Sequence, residues 1–366
     1  MYKIQIPPSD AQGRSFGQQY YDTFVQSFRD ELRAKLSRRQ PWSEGFFQVQ
    51  GSIRVKLDRG SKAERFIQIC INNDRVMRIL LFGDLKQQLS LWSAIRKWVN
   101  DDTEFFPLDQ AVFTSILQAQ QAGGSASSHF HTVIKHIFEK RLYNAVLRKD
   151  WIVSKLKLEV CPYCGEVPIS RSVVQHIVNG KVVIKPELDH FLPKSLFPYF
   201  AVNVFNLIPC CDRCNNKSLK GNVLPIYQDA NGNWIIRIMH PYGFDNSAVW
   251  FSYIPPTVQT PEFQVVVNYV DDNLEVGYNN VLGIQSRYEP YNKDVEDMHE
   301  RMVSYLSDNA IQYSVDTFGL PKRFERKYVI LMLSFNPWKR TPSQTQKYKF
   351  LSDIYAQLTG SSVQFI

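Results

Sequence analysis

The sequence predicts an α+β fold in three parts, and three features carry that prediction. Apolar residues at Tyr21, Phe24, Val25, Phe28 and Leu32 recur at the spacing of one helix face, which places a helix over Gln18 to Arg39. Two C-x-x-C pairs, Cys161/Cys164 and Cys211/Cys214, enclose β-rich runs and a hairpin turn. Gly123-Gly-Ser-Ala-Ser-Ser128 has the composition of a linker, and 366 residues are too many for one small core. The parts are therefore 1–125, an N-terminal α+β recognition or partner domain, then 129–225, a cysteine-stapled module with a long helix before it, and 226–366, a C-terminal α+β region.

In the first part, Ser52 to Phe82 reads as three strands of an antiparallel meander, turned at Asp58-Arg-Gly60 and Asn72-Asn-Asp74. Cys70, inside Phe66-Ile-Gln-Ile-Cys-Ile71, is then a small buried hydrophobe on a strand. Helices follow near Leu85 to Val99 and Leu108 to Ala122. Beyond the linker, a long helix is expected from about Phe130 to Val153. Ser172 to Val178 and Lys181 to Lys185 are strands around Asn179-Gly180, a strong two-residue hairpin signal. Asn231-Gly232 turns the chain into a strand at Trp234 to Met239. A strand at Phe263 to Tyr269 and helices near Lys293 to Asn309 and Lys347 to Leu358 complete the last part.

The composition, 44% hydrophobic and 21% charged, is that of a soluble globular protein. The longest apolar run, Tyr328 to Phe335, is far shorter than a membrane span. Met1-Tyr-Lys-Ile-Gln-Ile-Pro-Pro8 lacks the apolar stretch of a signal peptide, so a cytoplasmic location without a membrane partner is expected. The net charge of +8 is uneven. Residues 1–150 hold 22 Lys and Arg against 15 Asp and Glu, residues 151–225 hold 9 against 5, and the remainder 12 against 15. The basic portion includes the cysteine module, which suits a polyanionic partner such as nucleic acid; a solvated basic face is the plain alternative.

Six cysteines in so long a chain do not make a disulfide framework. The two C-x-x-C pairs can supply four thiolates to one tetrahedral Zn²⁺, and Gly165 suits the tight turn after the first pair. A thioredoxin-like redox motif is the weaker alternative, since the first pair leads into Gly and a hairpin rather than a helix. Cys210 is an extra thiol beside the second pair, expected to be buried, and the sequence leaves open whether it replaces Cys211 as a ligand.

Between the pairs lies Glu187-Leu-Asp-His-Phe-Leu-Pro-Lys-Ser195, and then Asn206-Leu-Ile-Pro-Cys-Cys-Asp-Arg-Cys-Asn215. Phosphodiester hydrolysis needs a base for water and a Lewis acid for the charge on phosphorus and on the leaving oxygen. His190 suits the base; Asp189 and Asn215 offer the hard oxygens that Mg²⁺ or Mn²⁺ selects; Asn206 is placed to fix His190. Asn215 directly follows Cys214, so the zinc would also position a catalytic ligand.

This pattern resembles the HNH endonucleases of the ββα-metal type, across Cys161 to Asn222. The likeness rests on Cys161/Cys164, on Asp189-His190 with Pro193, and on Asn206-Leu207, Pro209, Cys211, Cys214 and Asn215. Lys217 stands one place earlier than the pattern has its lysine, and Lys220 follows, so the phosphate-contacting lysine is left between them. The resemblance implies a zinc-stapled ββα-metal module in which His190 is the general base, Asp189 and Asn215 bind the catalytic ion, and Asn206 positions His190. Glu187 matches a carboxylate often found two places before the Asp, and His240-Pro-Tyr-Gly-Phe-Asp245 resembles a segment seen after the core in some bacterial members.

The implied activity is a metal-dependent DNA endonuclease, an effector of anti-phage defence or restriction, with RNA open as substrate and with gating by a partner such as an ATPase or an NAD-consuming subunit. The alternative from another class is a zinc-stabilised nucleic-acid-binding or regulatory subunit with little cleavage. His129, His131 and His136 read as helix-start and surface histidines and His176 as structural. Arg38-Arg39, Lys322-Arg323 with Arg326-Lys327, and Lys339-Arg340 read as solvated faces unless they gather around Asp189.

Overall fold

The computed structural model describes residues 1–37, 57, 59–99, 129–169, 174–178, 181–185, 187–216, 219–221, 223–229, 231, 233–307 and 345–359. The expected helix at Leu108 to Ala122, the linker, Asn179-Gly180, Lys217, Asn222, Tyr328 to Phe335 and the basic pairs at 38–39, 322–327 and 339–340 lie outside these residues. The fold is α+β, built from helices and short antiparallel strand pairs.

Helix α1 (Phe16–Ser37) forms where the sequence places it, and its buried face is Phe16, Tyr20, Phe24, Phe28 and Leu32, one residue per turn. Burying each such side chain contributes about 1.5–3 kcal/mol relative to exposure. Phe16 stacks on Trp151 at 5.7 Å and Phe24 meets the same ring edge-on at 5.8 Å, which binds α1 to the start of the module.

Over the described residues 59–82 the expected meander is not there. Its described part is two helices, α2 (Lys62–Asn72) and α3 (Asp74–Phe82), and Cys70 is buried on α2 rather than on a strand. The physical reason is capping. Ser61 Oγ accepts the Glu64 N–H at 3.2 Å, while Asn73 donates its backbone N–H to Ile69 O at 2.8 Å and accepts the Val76 N–H on its side chain at 3.0 Å. Asn73 thus closes one helix and opens the next, where the sequence suggested a β-turn. The buried set Ala63, Phe66, Ile67, Cys70 and Ile71 has helical spacing throughout. Helix α4 (Leu85–Val99) has the expected bounds.

The single long helix expected after the linker is three pieces. Helix α5 (His129–Lys135) runs into a π-helical stretch (His136–Val146), which ends as Leu147 donates to Leu142 O at 2.9 Å. Leu147 is extended, and α6 (Lys149–Leu156) starts afresh. The hairpin β1 (Val174–Val178) and β2 (Lys181–Lys185) pairs in the expected register, Val178 against Lys181. Strands β3 (Leu188–His190) and β4 (Leu207–Pro209) then pair antiparallel, and the one-turn helix α7 (Asp212–Asn215) follows.

The C-terminal part holds two hairpins, β5 (Ile226–Gln228) with β6 (Trp234–Ile236) and β7 (Val249–Ile254) with β8 (Gln264–Tyr269). Its helices are α8 (Asp272–Glu275), α9 (Ile284–Tyr288), α10 (Asn292–Ser307) and α11 (Tyr348–Thr359). One continuous apolar core runs from α1 through the module to α11. No described helix is long and apolar enough to cross a membrane.

Candidate active site and metal centre

The two C-x-x-C pairs come together. The first forms a knuckle: Cys161 N–H donates to Val167 O at 2.9 Å and Gly165 N–H to Cys161 O at 2.8 Å. Gly165 has φ +68°, and a Cβ there would sit 2.2 Å from the Met1 nitrogen, so neither the conformation nor the space admits another residue. The second pair rides on α7, with Cys211 as N-cap, its sulfur accepting the Cys214 N–H at 3.4 Å. The four sulfurs lie within 4.8 Å of one another and all four residues are buried. Burial first, and neighbouring thiols after it, push Cys161 above the ordinary thiol range. Four sulfur donors in a closed, dry pocket fit a structural Zn²⁺. Cys210 is buried too, and it is Cys211 and Cys214 that lie with the first pair in the converging group. Helix α9 braces the cluster: Arg287 Nη1 donates to Cys214 Sγ at 3.3 Å and its Nε to Glu166 at 3.0 Å, while Tyr288 donates to Cys164 O at 2.7 Å.

The β3–β4 pair sets the Asp-His step beside this frame, with Asp189 opposite Ile208 and His190 opposite Leu207. Alternation along the strand sends the two side chains to different partners. Asp189 Oδ2 accepts from Tyr163 Oη at 2.6 Å and pairs with Lys220 Nζ at 2.7 Å; both members of that ion pair are buried. Lys220 also donates to the carbonyls of His190 at 3.0 Å and Phe191 at 3.3 Å, so this one of the two lysines the sequence offered for phosphate is engaged inside the protein.

His190 Nε2 lies 3.1 Å from Ala201 O. A carbonyl only accepts, so Nε2 carries the proton and Nδ1 holds the lone pair when the ring is neutral. Burial, and then the charges of Lys194, Lys220 and Lys149 against the bond to Ala201, hold its pKa well below the ordinary histidine range. The ring packs on Tyr143, centroids 4.7 Å apart.

Asn206 does not touch the imidazole; it fixes the turn that does. Its Oδ1 accepts the Leu192 N–H at 2.7 Å, and its Nδ2 donates to Leu192 O at 3.2 Å and Phe200 O at 3.1 Å. Asn203, which the sequence reading passed over, carries this to α3. Its Oδ1 accepts the N–H groups of Phe205 at 2.8 Å and Asn206 at 3.2 Å, and its Nδ2 donates to Ile79 O at 2.8 Å and Gly83 O at 3.0 Å.

Asn215 donates from Nδ2 to Glu187 Oε2 at 2.6 Å, which turns its Oδ1, the atom a hard cation takes, away from that carboxylate. The structure thus sets Asn215 against Glu187 and Asp189 against Lys220. His131 is buried with Nε2 2.8 Å from Ser195 O, bracing the loop after β3. His240 packs edge-on to Phe191 at 4.4 Å, beside an apolar cavity of about 420 Å³ behind the Asp-His strand. Tyr163, Tyr143 and Lys194 also reach the site without having been singled out; Tyr163 alone had a local signal, its place inside the first C-x-x-C.

No family model and no solved structure matches the chain. Protein ea31 of Escherichia phage lambda is 30% identical over 84 residues, 23% of this chain and 21% of that protein. Septu protein PtuB of Bacillus thuringiensis is 55% identical over 31 residues, 8% of this chain and 12% of that protein. The chain therefore spans under a quarter of the length of either relative.

Proposed function

We propose that the protein is a metal-dependent HNH-type endonuclease that hydrolyses DNA phosphodiester bonds as an effector of anti-phage defence or restriction. The observation that supports this best is the orientation of His190: its ring is held through Nε2, so that Nδ1 is the nitrogen left to take a proton from water. Asp189 stands next to it on β3, and Asn215 closes α7 directly after the tetrad. These two residues would hold Mg²⁺ or Mn²⁺ through oxygen, the donor such ions select. When bound, the ion supplies Lewis-acid stabilisation of the charge on the phosphoryl and leaving oxygens. The chain's own residues orient and deprotonate: Asn206 fixes the Phe200–Ala201 turn, that turn holds His190, and His190 takes the proton.

The defence role rests on the local likeness to Septu protein PtuB. In this reading a partner, such as an ATPase or NAD-consuming subunit, gates the site; robust cleavage by the lone chain, equal to that in its operon context, would argue against gating. Purified full-length protein with Mg²⁺ or Mn²⁺ is expected to nick or cut DNA. His190→Ala is expected to lower the rate by about 10²–10⁴-fold while zinc content stays unchanged. Undiminished cutting by His190→Ala would sink the assignment, and RNA offered in parallel decides the sugar.

One observation favours the second reading, a zinc-stabilised binding or regulatory subunit: Lys220 already neutralises Asp189 in a buried pair. Tight nucleic-acid binding with zinc bound and no cleavage in either metal is its expected signature.

A further inference from the structure

We propose that Arg287, on α9, is a positioning residue of the four-cysteine metal centre: its guanidinium donates to the Cys214 sulfur and tunes that sulfur as a ligand, while Glu166 and Tyr291 hold the guanidinium in aim. The metal's hold on the module then depends on the docking of the C-terminal part. The inference needs a metal in the tetrad and is independent of any nuclease activity.

One short segment, Arg287 to Tyr291, reaches both C-x-x-C pairs. Arg287 Nη1 donates to Cys214 Sγ at 3.3 Å, and its Nε donates to Glu166 Oε2 at 3.0 Å. Tyr291 Oη donates to the other oxygen of that carboxylate, Glu166 Oε1, at 3.0 Å. Tyr288 Oη donates to Cys164 O at 2.7 Å. Glu166 follows directly on Gly165, the turn residue of the first knuckle, so the first pair is tied through Glu166 and the Cys164 carbonyl, and the second through its sulfur.

The Arg287 and Glu166 side chains are only 6% and 15% exposed. Glu166 neutralises the guanidinium, so charge alone does not draw Arg287 to the sulfur. What Glu166 supplies is direction. A guanidinium is planar and carries its N–H groups in a fixed fork, so the bond from Nε sets where Nη1 points. Among the described residues, Arg287 is the side chain outside the tetrad that donates to one of its sulfurs; the Cys211 sulfur accepts a backbone N–H instead. A donor on a metal-bound sulfur draws electron density from it, and losing an outer partner of this kind typically costs about 10–100-fold in metal affinity.

The test uses the full chain, loaded with Zn²⁺ or with Co²⁺ as a coloured stand-in. Zinc affinity is read by competition with a chromophoric chelator, and the state of the sulfurs by the sulfur-to-cobalt charge-transfer band. Arg287→Met is made together with Glu166→Gln, so that no buried charge is left unpaired. This double variant is expected to bind zinc about 10–100-fold more weakly. Its cobalt band is expected at longer wavelength, because a sulfur relieved of its hydrogen bond gives up an electron more readily. Arg287→Lys keeps the charge and one donor point and is expected to fall between on both measures; it is read alone if the double variant does not fold. Arg78→Met, on α3, is expected to leave both measures unchanged. An unmoved band overturns the inference even where affinity falls, because lost packing would then account for the weaker binding. A native chain that takes up neither metal at the four cysteines overturns it together with the zinc reading, whatever the outcome for DNA cleavage.

Discussion

The cysteine tetrad and the Asp-His site share the segment from Asn206 to Lys220 and are built in opposite ways. The tetrad is closed: its four buried ligands converge on one point, and Arg287 and Tyr288 of α9 seal it. In the Asp-His site the polar groups point at helpers instead. His190 is held by a carbonyl, that carbonyl's turn by Asn206, Asn206 by Asn203, and Asp189 by Tyr163 and Lys220. The tetrad's own side chains converge on one another, whereas each polar side chain of the Asp-His strand is held by a partner outside it. Damage should therefore be global at the tetrad and graded at the Asp-His site.

The largest expected effect is at the tetrad. A structural zinc in a small module is worth about 10 kcal/mol, comparable to the whole net stability of a domain. Cys211→Ser, or removal of the metal by a chelator, should unfold the module, read as lost metal and an early thermal transition. A native melt with full zinc in Cys211→Ser would mean that Cys210 can substitute, and would break the contrast between the sites.

Next in size is the buried pair across the Asp-His strand. Lys220→Met leaves Asp189 charged without its partner, a change that costs about 3–5 kcal/mol. Adding Asp189→Asn should recover part of that loss in urea unfolding. A loss below about 1 kcal/mol in Lys220→Met would show that the pair does not hold β3.

A third effect separates the regions by pH. Burial first, then Lys135, lowers the pKa of His131 from 6.5 to about 4 against the bond to Ser195. Between those values the unfolded chain binds a proton that the folded one refuses, so stability is flat above pH 6.5 and falls as pH drops toward 4, by about 3 kcal/mol from this group. His131→Gln should remove that share of the acid slope. An unchanged slope would place the titrating burden elsewhere, on His190, held well below the ordinary histidine range by burial, or on His240, lowered to about 4 by burial.

The tetrad was legible because a two-residue gap fixes its geometry locally, and the β1–β2 hairpin because two β-rich runs flank an Asn-Gly step in the sequence. Helices α2 and α3 were misread although the stripe Ala63, Phe66, Ile67, Cys70, Ile71 was in view. The Ile content and Asn72-Asn-Asp74 suggested strands and a turn, and a residue that caps two helices at once carries the same local signal as a turn. The Lys220–Asp189 pair joins positions 31 apart through packing alone. Tyr143 was hidden for another reason: a π-helical stretch shifts the face, so a 3.6-residue reading of that helix points the wrong way. Leu85 to Val99, with no such irregularity, was read to its observed ends.

The smallest effect is the sharpest test of the contrast, because it begins far from both sites in sequence. Asn73→Ala removes the side-chain cap of α3, at a cost of about 1 kcal/mol. Helix α3 holds the Asp-His site through three bonds: Asn203 Nδ2 to Ile79 O and Gly83 O, and the Val204 N–H to Leu81 O at 2.8 Å. None of these reaches a cysteine. Amide exchange across Phe200 to Asn206 is therefore expected to quicken several-fold, since 1 kcal/mol is a factor of about five in a local opening equilibrium. Zinc release to a chelator should keep its native rate. If release quickens in step with the amides, the two sites open as one unit, and the division between a finished centre and a supported one does not hold for this fold.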